Sequence, residues 1–116
     1  MAIPNLLNTS SVYGQCTGKI LTTGSQDIIT NTTNQTIKIN TFLATNITAS
    51  AVTVTIGYYE NSTTTTFYML YQTQVPGNGS LDVFNRPFYL KESDKITALA
   101  GAGTSIHVVA SWESLA

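Results

Sequence analysis

Val52-Thr53-Val54-Thr55-Ile56-Gly57-Tyr58 puts an apolar side chain at every second position. Val52, Val54, Ile56 and Tyr58 face one way, and Thr53, Thr55 and Gly57 face the other. Successive side chains of a strand point to opposite faces, so this pattern predicts a strand with one face buried and one wet. The same alternation recurs near the end of the chain. Ile106, Val108, Ala110 and Trp112 form one row, and Ser105, His107, Ser111 and Glu113 form the other. Over residues 36–47, Ile37, Ile39, Leu43 and Ile47 are assigned to the buried row, with Lys38, Asn40 and Asn46 opposite.

Working outward, weaker strand candidates cover residues 12–16, 19–22, 27–31, 67–74, 81–85 and 95–100. Turn-forming runs separate them: Thr23-Gly24-Ser25, Asn31-Thr32-Thr33-Asn34, Glu60-Asn61-Ser62, Pro76-Gly77-Asn78-Gly79 and Gly101-Ala102-Gly103. The Gly101/Gly103 pair reads as a hairpin tip. No segment keeps a 3.6-residue period, so no long helix is predicted. Short strands at this spacing predict an all-β fold, an antiparallel β-sandwich of jelly-roll or Ig-like type with about eight strands. The length, 116 residues, suits one domain. Residues 12–116 are assigned to it. Residues 1–11 are read as an N-terminal arm, with Ile3, Leu6 and Leu7 apolar and Pro4 opposing an early helix. Either a neighbouring subunit or the arm's own domain would hold it.

The composition narrows function. Only 9% of residues are charged, against about 25% in ordinary soluble domains. Thr alone outnumbers all charged residues together. The net charge of −1 and the scattered Lys19, Lys38, Arg86, Lys91 and Lys95 give no basic stripe for phosphates, so no nucleic-acid partner is expected. No apolar run approaches the roughly 20 residues of a membrane helix, and the first residues lack the form of a signal peptide, so no membrane is expected and synthesis in a cytoplasm is. The six Asn-x-Ser/Thr sequons, at Asn8, Asn31, Asn34, Asn46, Asn61 and Asn78, follow from the abundance of Asn and Thr.

Residues that could carry chemistry are few. His107 is the sole histidine and falls on a polar row. A Ser-His-Asp triad would need it as base, and no Gly-x-Ser-x-Gly elbow accompanies it. One Cys and one His cannot build a structural zinc site. Asp82, Glu92 and Asp94 lack calcium-loop spacing. No metal, cofactor or enzymatic activity is therefore expected. Cys16 is read as a small core residue. Aromatic residues are the better binding candidates. Tyr58 and Trp112 share rows with aliphatic residues and are assigned to the core, while Tyr59 and Tyr68 fall on opposite rows and are assigned to the surface. In Phe67-Tyr68-Met69-Leu70-Tyr71 both rows are apolar. Either Tyr68 tucks under a loop or this strand lies in a subunit contact.

Two segments carry a resemblance. Leu81-Asp82-Val83-Phe84-Asn85-Arg86-Pro87-Phe88-Tyr89-Leu90 runs into Lys91-Glu92-Ser93-Asp94-Lys95-Ile96-Thr97-Ala98, and the chain closes on Val108-Val109-Ala110-Ser111-Trp112-Glu113. Together with Val12-Tyr13-Gly14 and Ile37-Lys38-Ile39-Asn40, this resembles small virion proteins of tailed bacteriophages, especially those infecting cyanobacteria. The resemblance implies a non-enzymatic capsid or tail component located in the virion. A homo-oligomeric capsid decoration (cement) protein is expected, a trimer at local three-fold positions, with the major capsid protein or other virion proteins as partners. The alternatives are a carbohydrate-binding tail-fibre or tail-tip module and a neck or tail adaptor. Interface candidates are Ile3, Pro4, Leu6, Leu7, Tyr59 and Tyr68. The Leu90-to-Ile96 bend is similar to one in jelly-roll and tumour-necrosis-factor-like sandwiches. Ser93 stands at that bend's glycine position, which predicts an ordinary negative backbone angle. The Asp94 carboxylate is expected to accept hydrogen bonds from N–H groups of its turn.

Overall fold

The computed structural model describes residues 12–32, 35–84 and 86–115. The arm candidates Ile3, Pro4, Leu6 and Leu7 lie outside them. The described residues form nine strands and no helix: β1 (Val12–Ile20), β2 (Gln26–Thr30), β3 (Thr36–Asn46), β4 (Val52–Glu60), β5 (Thr65–Val75), β6 (Ser80–Asp82), β7 (Phe88–Leu90), β8 (Lys95–Ala100) and β9 (Ile106–Leu115). The sequence candidates 12–16 and 19–22 are one continuous strand, β1. β7 is an additional short strand.

All pairings are antiparallel. One sheet runs β1-β9-β3-β6, with β7 also on β3, and the other runs β2-β8-β4-β5. The pairs β4–β5, β3 with β6 and β7, β2–β8 and β1–β9 are successive rungs of one long hairpin wound around itself. That winding is the jelly roll, and it decides between the two sandwich types the sequence allowed. The Gly101/Gly103 segment is therefore not a hairpin tip. It carries the chain from β8 in one sheet to β9 in the other.

The core lies between the sheets. Phe42, Leu21, Ile29, Ile37, Ile39, Ile56, Leu90, Ile96 and Ile106 are its largest fully buried side chains. Phe42 meets Phe84 edge-on at 5.7 Å, and Phe84 stacks on Phe88 at 5.1 Å. Burying a side chain of this size contributes about 1.5–3 kcal/mol. The rows read from β4 and β9 hold: Val54, Ile56, Ile106, Val108 and Ala110 are buried, and Val52, Tyr58 and Trp112 pack partly buried against them.

The row read from β3 holds only for its first half. A β-bulge between Ile39 and Thr41 inserts one residue against β9. Because side chains alternate strictly, one extra residue moves every later one to the other face. Phe42, Ala44 and Asn46 consequently point inward, while Leu43 and Ile47 are exposed. The buried Asn46 is satisfied. Its Nδ2 donates to Ser50 O (2.7 Å) and Val75 O (3.1 Å), and its Oδ1 accepts from the Thr48 backbone N–H (2.9 Å) and hydroxyl (2.7 Å). Asn31 is buried as well, and its Nδ2 donates to Leu90 O (2.8 Å) and Gln35 O (3.0 Å). Two of the six sequon asparagines thus hold loops from inside.

Ser93 adopts φ 70°, a left-handed angle, contrary to the expectation from its side chain. The strain of such a residue is of order 1–3 kcal/mol. It is held by the Ser93 N–H donating to Asn31 O (2.9 Å) and the Asp94 N–H donating to Lys91 O (3.2 Å). The jelly-roll bend is therefore made without glycine.

Candidate functional site

The polar cluster at the β4–β5 end of the sandwich is the most strongly perturbed group of side chains. Asp94 is fully buried. The Tyr58 hydroxyl donates to its Oδ2 in a short bond, and the backbone N–H of Asn61 donates to Oδ1 (3.0 Å). The donors thus come from β4 and the β4–β5 turn rather than from Asp94's own bend, as the sequence had suggested. Lys91 Nζ lies 3.1 Å from Glu60 Oε2 and 4.0 Å from Asp94 Oδ2. Burial, and then the bond to Asp94, pushes the Tyr58 phenol above the ordinary tyrosine range. The hydrogen bond from Lys91, and then that from Thr63, holds Glu60 below the usual carboxylate range. Each of these groups already has a partner from the same chain, so the cluster works as a clasp between β4 and the β7–β8 bend. Among the described residues, no three His, Cys, Asp or Glu side chains gather as metal ligands.

His107 lies half-buried on the outer face of the β1-β9-β3 sheet. Its cross-strand neighbours are Ile20 and Thr45, neither of which can orient an imidazole as a carboxylate does. It borders a shallow hollow of about 290 Å³ shared with Gly18, Ile20 and Val109. Around it runs an apolar surface. Val109 pairs with Leu43 on one side and with Gly18 on the other, and Ile20 sits two positions along from Gly18. Leu43, Val109 and Ile20 are all exposed.

Among the described residues, β1 pairs only with β9 in the sheet. Every residue of β1 is exposed except Thr17, which is intermediate. Val12 and Tyr13, on opposite faces of the strand, are 57% and 61% exposed. Cys16 is exposed too, not the core residue its type suggested. It points outward because its partner on β9, Ser111, lies on the outer row.

The outer face of the second sheet carries the tyrosines. Gly57 pairs with Tyr68 on β5 and Thr97 on β8, and Tyr59 pairs with Thr66 and Lys95. Tyr59 and Tyr68 therefore share one face, the outer one, but they differ in exposure. Tyr59 is half-buried, with Lys95 Nζ 5.0 Å from its ring centroid and that amine bound to Asp27 Oδ2 at 3.2 Å. Tyr68 is 58% exposed and meets Tyr71 edge-on at 5.0 Å. It does not tuck under a loop. Tyr68, Thr66, Gly57, Thr97, Thr55 and Ser25 line a groove of about 250 Å³. Gly57 forms its floor, where an added Cβ would sit 2.7 Å from Thr66 Cγ2 and 3.1 Å from Thr97 Oγ1.

No protein-family model matches this chain, and no curated protein matches it in sequence. Solved structures share its fold, two of them as follows. One is a chain of the Bacillus endospore appendages, a family of disulfide-linked pili, with a TM-score of 0.59 and 15% identity, covering 99% of this chain and 95% of that one. The other is from the acid-stable capsid of a Helicobacter pylori bacteriophage, with a TM-score of 0.57 and 10% identity, covering 93% and 90%. At these identities the likeness is one of fold.

Of the sequence candidates, the structure therefore brings Tyr59 and Tyr68 to one face and leaves Tyr68 the accessible one. Sequence reasoning missed Leu43, Val109 and Ile20, and counted Tyr71 among the aromatic binding candidates without assigning it a face. Leu43 was hidden by the bulge in β3. Tyr71 lies in a stretch of β5 where the register against β4 shifts twice. The exposed Val109 was legible, since it falls between Val108 and Ala110 on the polar row of β9.

Proposed function

We propose that this chain is a virion structural protein, a homo-oligomeric capsid decoration subunit seated on the shell as a trimer. The observation that carries the reading is the placement of apolar surface. Leu43, Val109 and Ile20 form a contiguous exposed patch across three strands of one sheet, on a molecule with hardly any charge to keep it apart from other protein. Contiguous exposed apolar surface marks a protein contact more often than solvent-facing use. The fold it shares with a phage capsid chain supports the reading. The pilus likeness shows the same fold in a second polymer. Each subunit would bury modest area on the shell, and linkage between subunits would raise the effective concentration of the rest.

The test is particle imaging with the double variant Leu43→Lys, Val109→Lys. Density for the wild-type chain at local three-fold positions, and loss of that density in a variant that still folds, is the expected outcome. Unchanged occupancy would remove this face from the mechanism, and absence of the wild-type chain from particles would end the virion reading.

A second reading, a carbohydrate-binding tail-tip or fibre module, is favoured by the Tyr68 groove. An exposed ring beside uncharged hydroxyls suits a sugar face and its rim. A glycan array probed with the assembled protein and with Tyr68→Ala would separate the two. Hits lost in Tyr68→Ala favour the module, and a blank array favours the shell.

A further inference from the structure

We infer that the open edge of β1 pairs antiparallel with β1 of a second copy, joining two sheets into one across a two-fold axis at Cys16. The inference stands apart from the decoration reading: a two-fold contact does not itself build that trimer, and it concerns the free protein.

The jelly roll leaves β2, β5, β1 and the β6/β7 pair at sheet margins. Three of these margins are blunted. β2 has a register shift and carries Asp27 bound to Lys95. β5 has two register shifts and a left-handed residue, Gln72 at φ 49°. β6 and β7 are three residues each. β1 is nine residues long with no register shift against β9, has no proline, and is exposed on both faces. Proteins ordinarily protect such an edge with bulges, charge or shortness, because it offers a row of unpaired backbone groups to any strand. Lys19 is its one charged residue, and that amine is turned inward to Asp27 O at 2.9 Å.

The backbone parity follows from one hydrogen bond. The Leu21 N–H donates to Ile106 O at 2.9 Å, next to the Ile20–His107 pair. Alternation along an antiparallel ladder then turns the backbone groups of residues 13, 15, 17 and 19 toward β9. Those of residues 12, 14, 16, 18 and 20 turn to the open edge.

The choice of a second copy as occupant follows from the sequence of the strand. Val12-Tyr13-Gly14-Gln15-Cys16-Thr17-Gly18-Lys19-Ile20 reads much the same from either end. Laid antiparallel on itself about Cys16, it sets Val12 against Ile20, Gly14 against Gly18 and Cys16 against Cys16 on the outer face. On the inner face it sets Gln15 against Thr17 and Tyr13 against Lys19, a ring beside a cation. This register uses all nine residues and the full set of outward backbone groups, and it keeps the two Lys19 side chains at opposite ends. It also continues the apolar patch, since Ile20 of one copy meets Val12 of the other on the face that holds Val109.

Cys16 supplies the readout. Directly opposed residues of a hydrogen-bonded antiparallel pair have Cα atoms about 5.5 Å apart and Cβ atoms about as far, wider than the roughly 3.5–4.5 Å Cβ separation of an unstrained disulfide but within the span of a short bis-maleimide. Such a reagent should therefore link the two copies. Each thiol adds across one maleimide double bond, its sulfur to one carbon and its proton to the other, and nothing leaves. Two variants disturb the contact while sparing the fold. Cys16→Asp sets two carboxylates against each other on the axis. Gly14→Pro removes an N–H that points to the open edge, not to β9. We expect a covalent dimer of wild-type chains on denaturing gels. In light scattering the wild-type mass should be twice that of either variant, with the association at least about ten-fold weaker in the variants and their circular dichroism unchanged. Equal masses for wild type and folded variants, or no bis-maleimide-linked dimer at concentrations where the wild type is associated, would overturn the inference. Neither result bears on shell occupancy, so its failure is separable from that of the decoration reading.

Discussion

The Asp94 cluster and the β1 edge are opposites in how far the molecule satisfies itself. At the first, a fully buried carboxylate has donors from two other segments, and Lys91 and Glu60 close the rim. At the second, eight of nine residues are exposed, with one lateral neighbour among the described residues and a row of backbone groups facing outward. The difference teaches where the molecule's own interactions stop. The carboxylate that the chain buries at Asp94, the chain also satisfies. The backbone groups and apolar side chains that it leaves at β1 are of kinds that another protein satisfies better than water.

The comparison breaks most readily at Asp94. Asp94→Ala removes the carboxylate that accepts from the Tyr58 hydroxyl and the Asn61 N–H, two charge-assisted bonds of about 1.5–3 kcal/mol each, and leaves the hydroxyl only Glu60 Oε2 at 3.4 Å. Urea unfolding should therefore show a loss of about 2–6 kcal/mol, and a loss below about 0.5 kcal/mol would mean that the clasp is ornamental. Tyr58→Phe removes one charge-assisted bond and should cost about 1.5–3 kcal/mol at neutral pH. It also tests the sign of the phenol's perturbation. The folded state holds Tyr58 neutral beyond the pH at which the unfolded chain ionises, near 10. Its contribution is thus intact below about pH 10 and is lost as pH rises from there toward the folded value. Wild type should lose stability over that range, and Tyr58→Phe should lose less.

The rim gives a smaller effect of opposite sign. Glu60 is held low by Lys91, so its contribution is present above the ordinary carboxylate range and is lost as pH falls through the folded value. Melting curves of Lys91→Met should show a shallower acid decline than wild type. An identical decline would place the acid sensitivity elsewhere. The smallest effect belongs to β1. Cys16→Ser should shift protomer stability by no more than about 0.5 kcal/mol, as for other exposed positions. A larger loss would show that β1 is braced in a way its exposure conceals.

Much of the fold was legible. The rows of β4 and β9 are regular, and alternation alone placed Ile56, Val108 and Ala110 inside. It failed at Leu43, since a bulge is a matter of how β3 meets β9, and nothing near Asn40 announces it. Ser93 failed for a related reason. A serine disfavours φ 70°, and only the backbone bonds that the bend makes with Asn31 and Lys91 hold it there. The surface site was half legible. Tyr68 was placed by its row, whereas the half-burial of Tyr59 depended on Lys95, which arrives from a strand 36 residues later.

Composition and periodicity by themselves determined an all-β, nearly uncharged sandwich, because side-chain alternation is a local property of an extended chain. The tertiary structure alone decided the winding, the side on which Leu43 emerges, and which margin stays open. Those depend on the pairing of strands far apart in the chain, where one inserted residue reverses a face and the sheet's last partner leaves its own far edge bare.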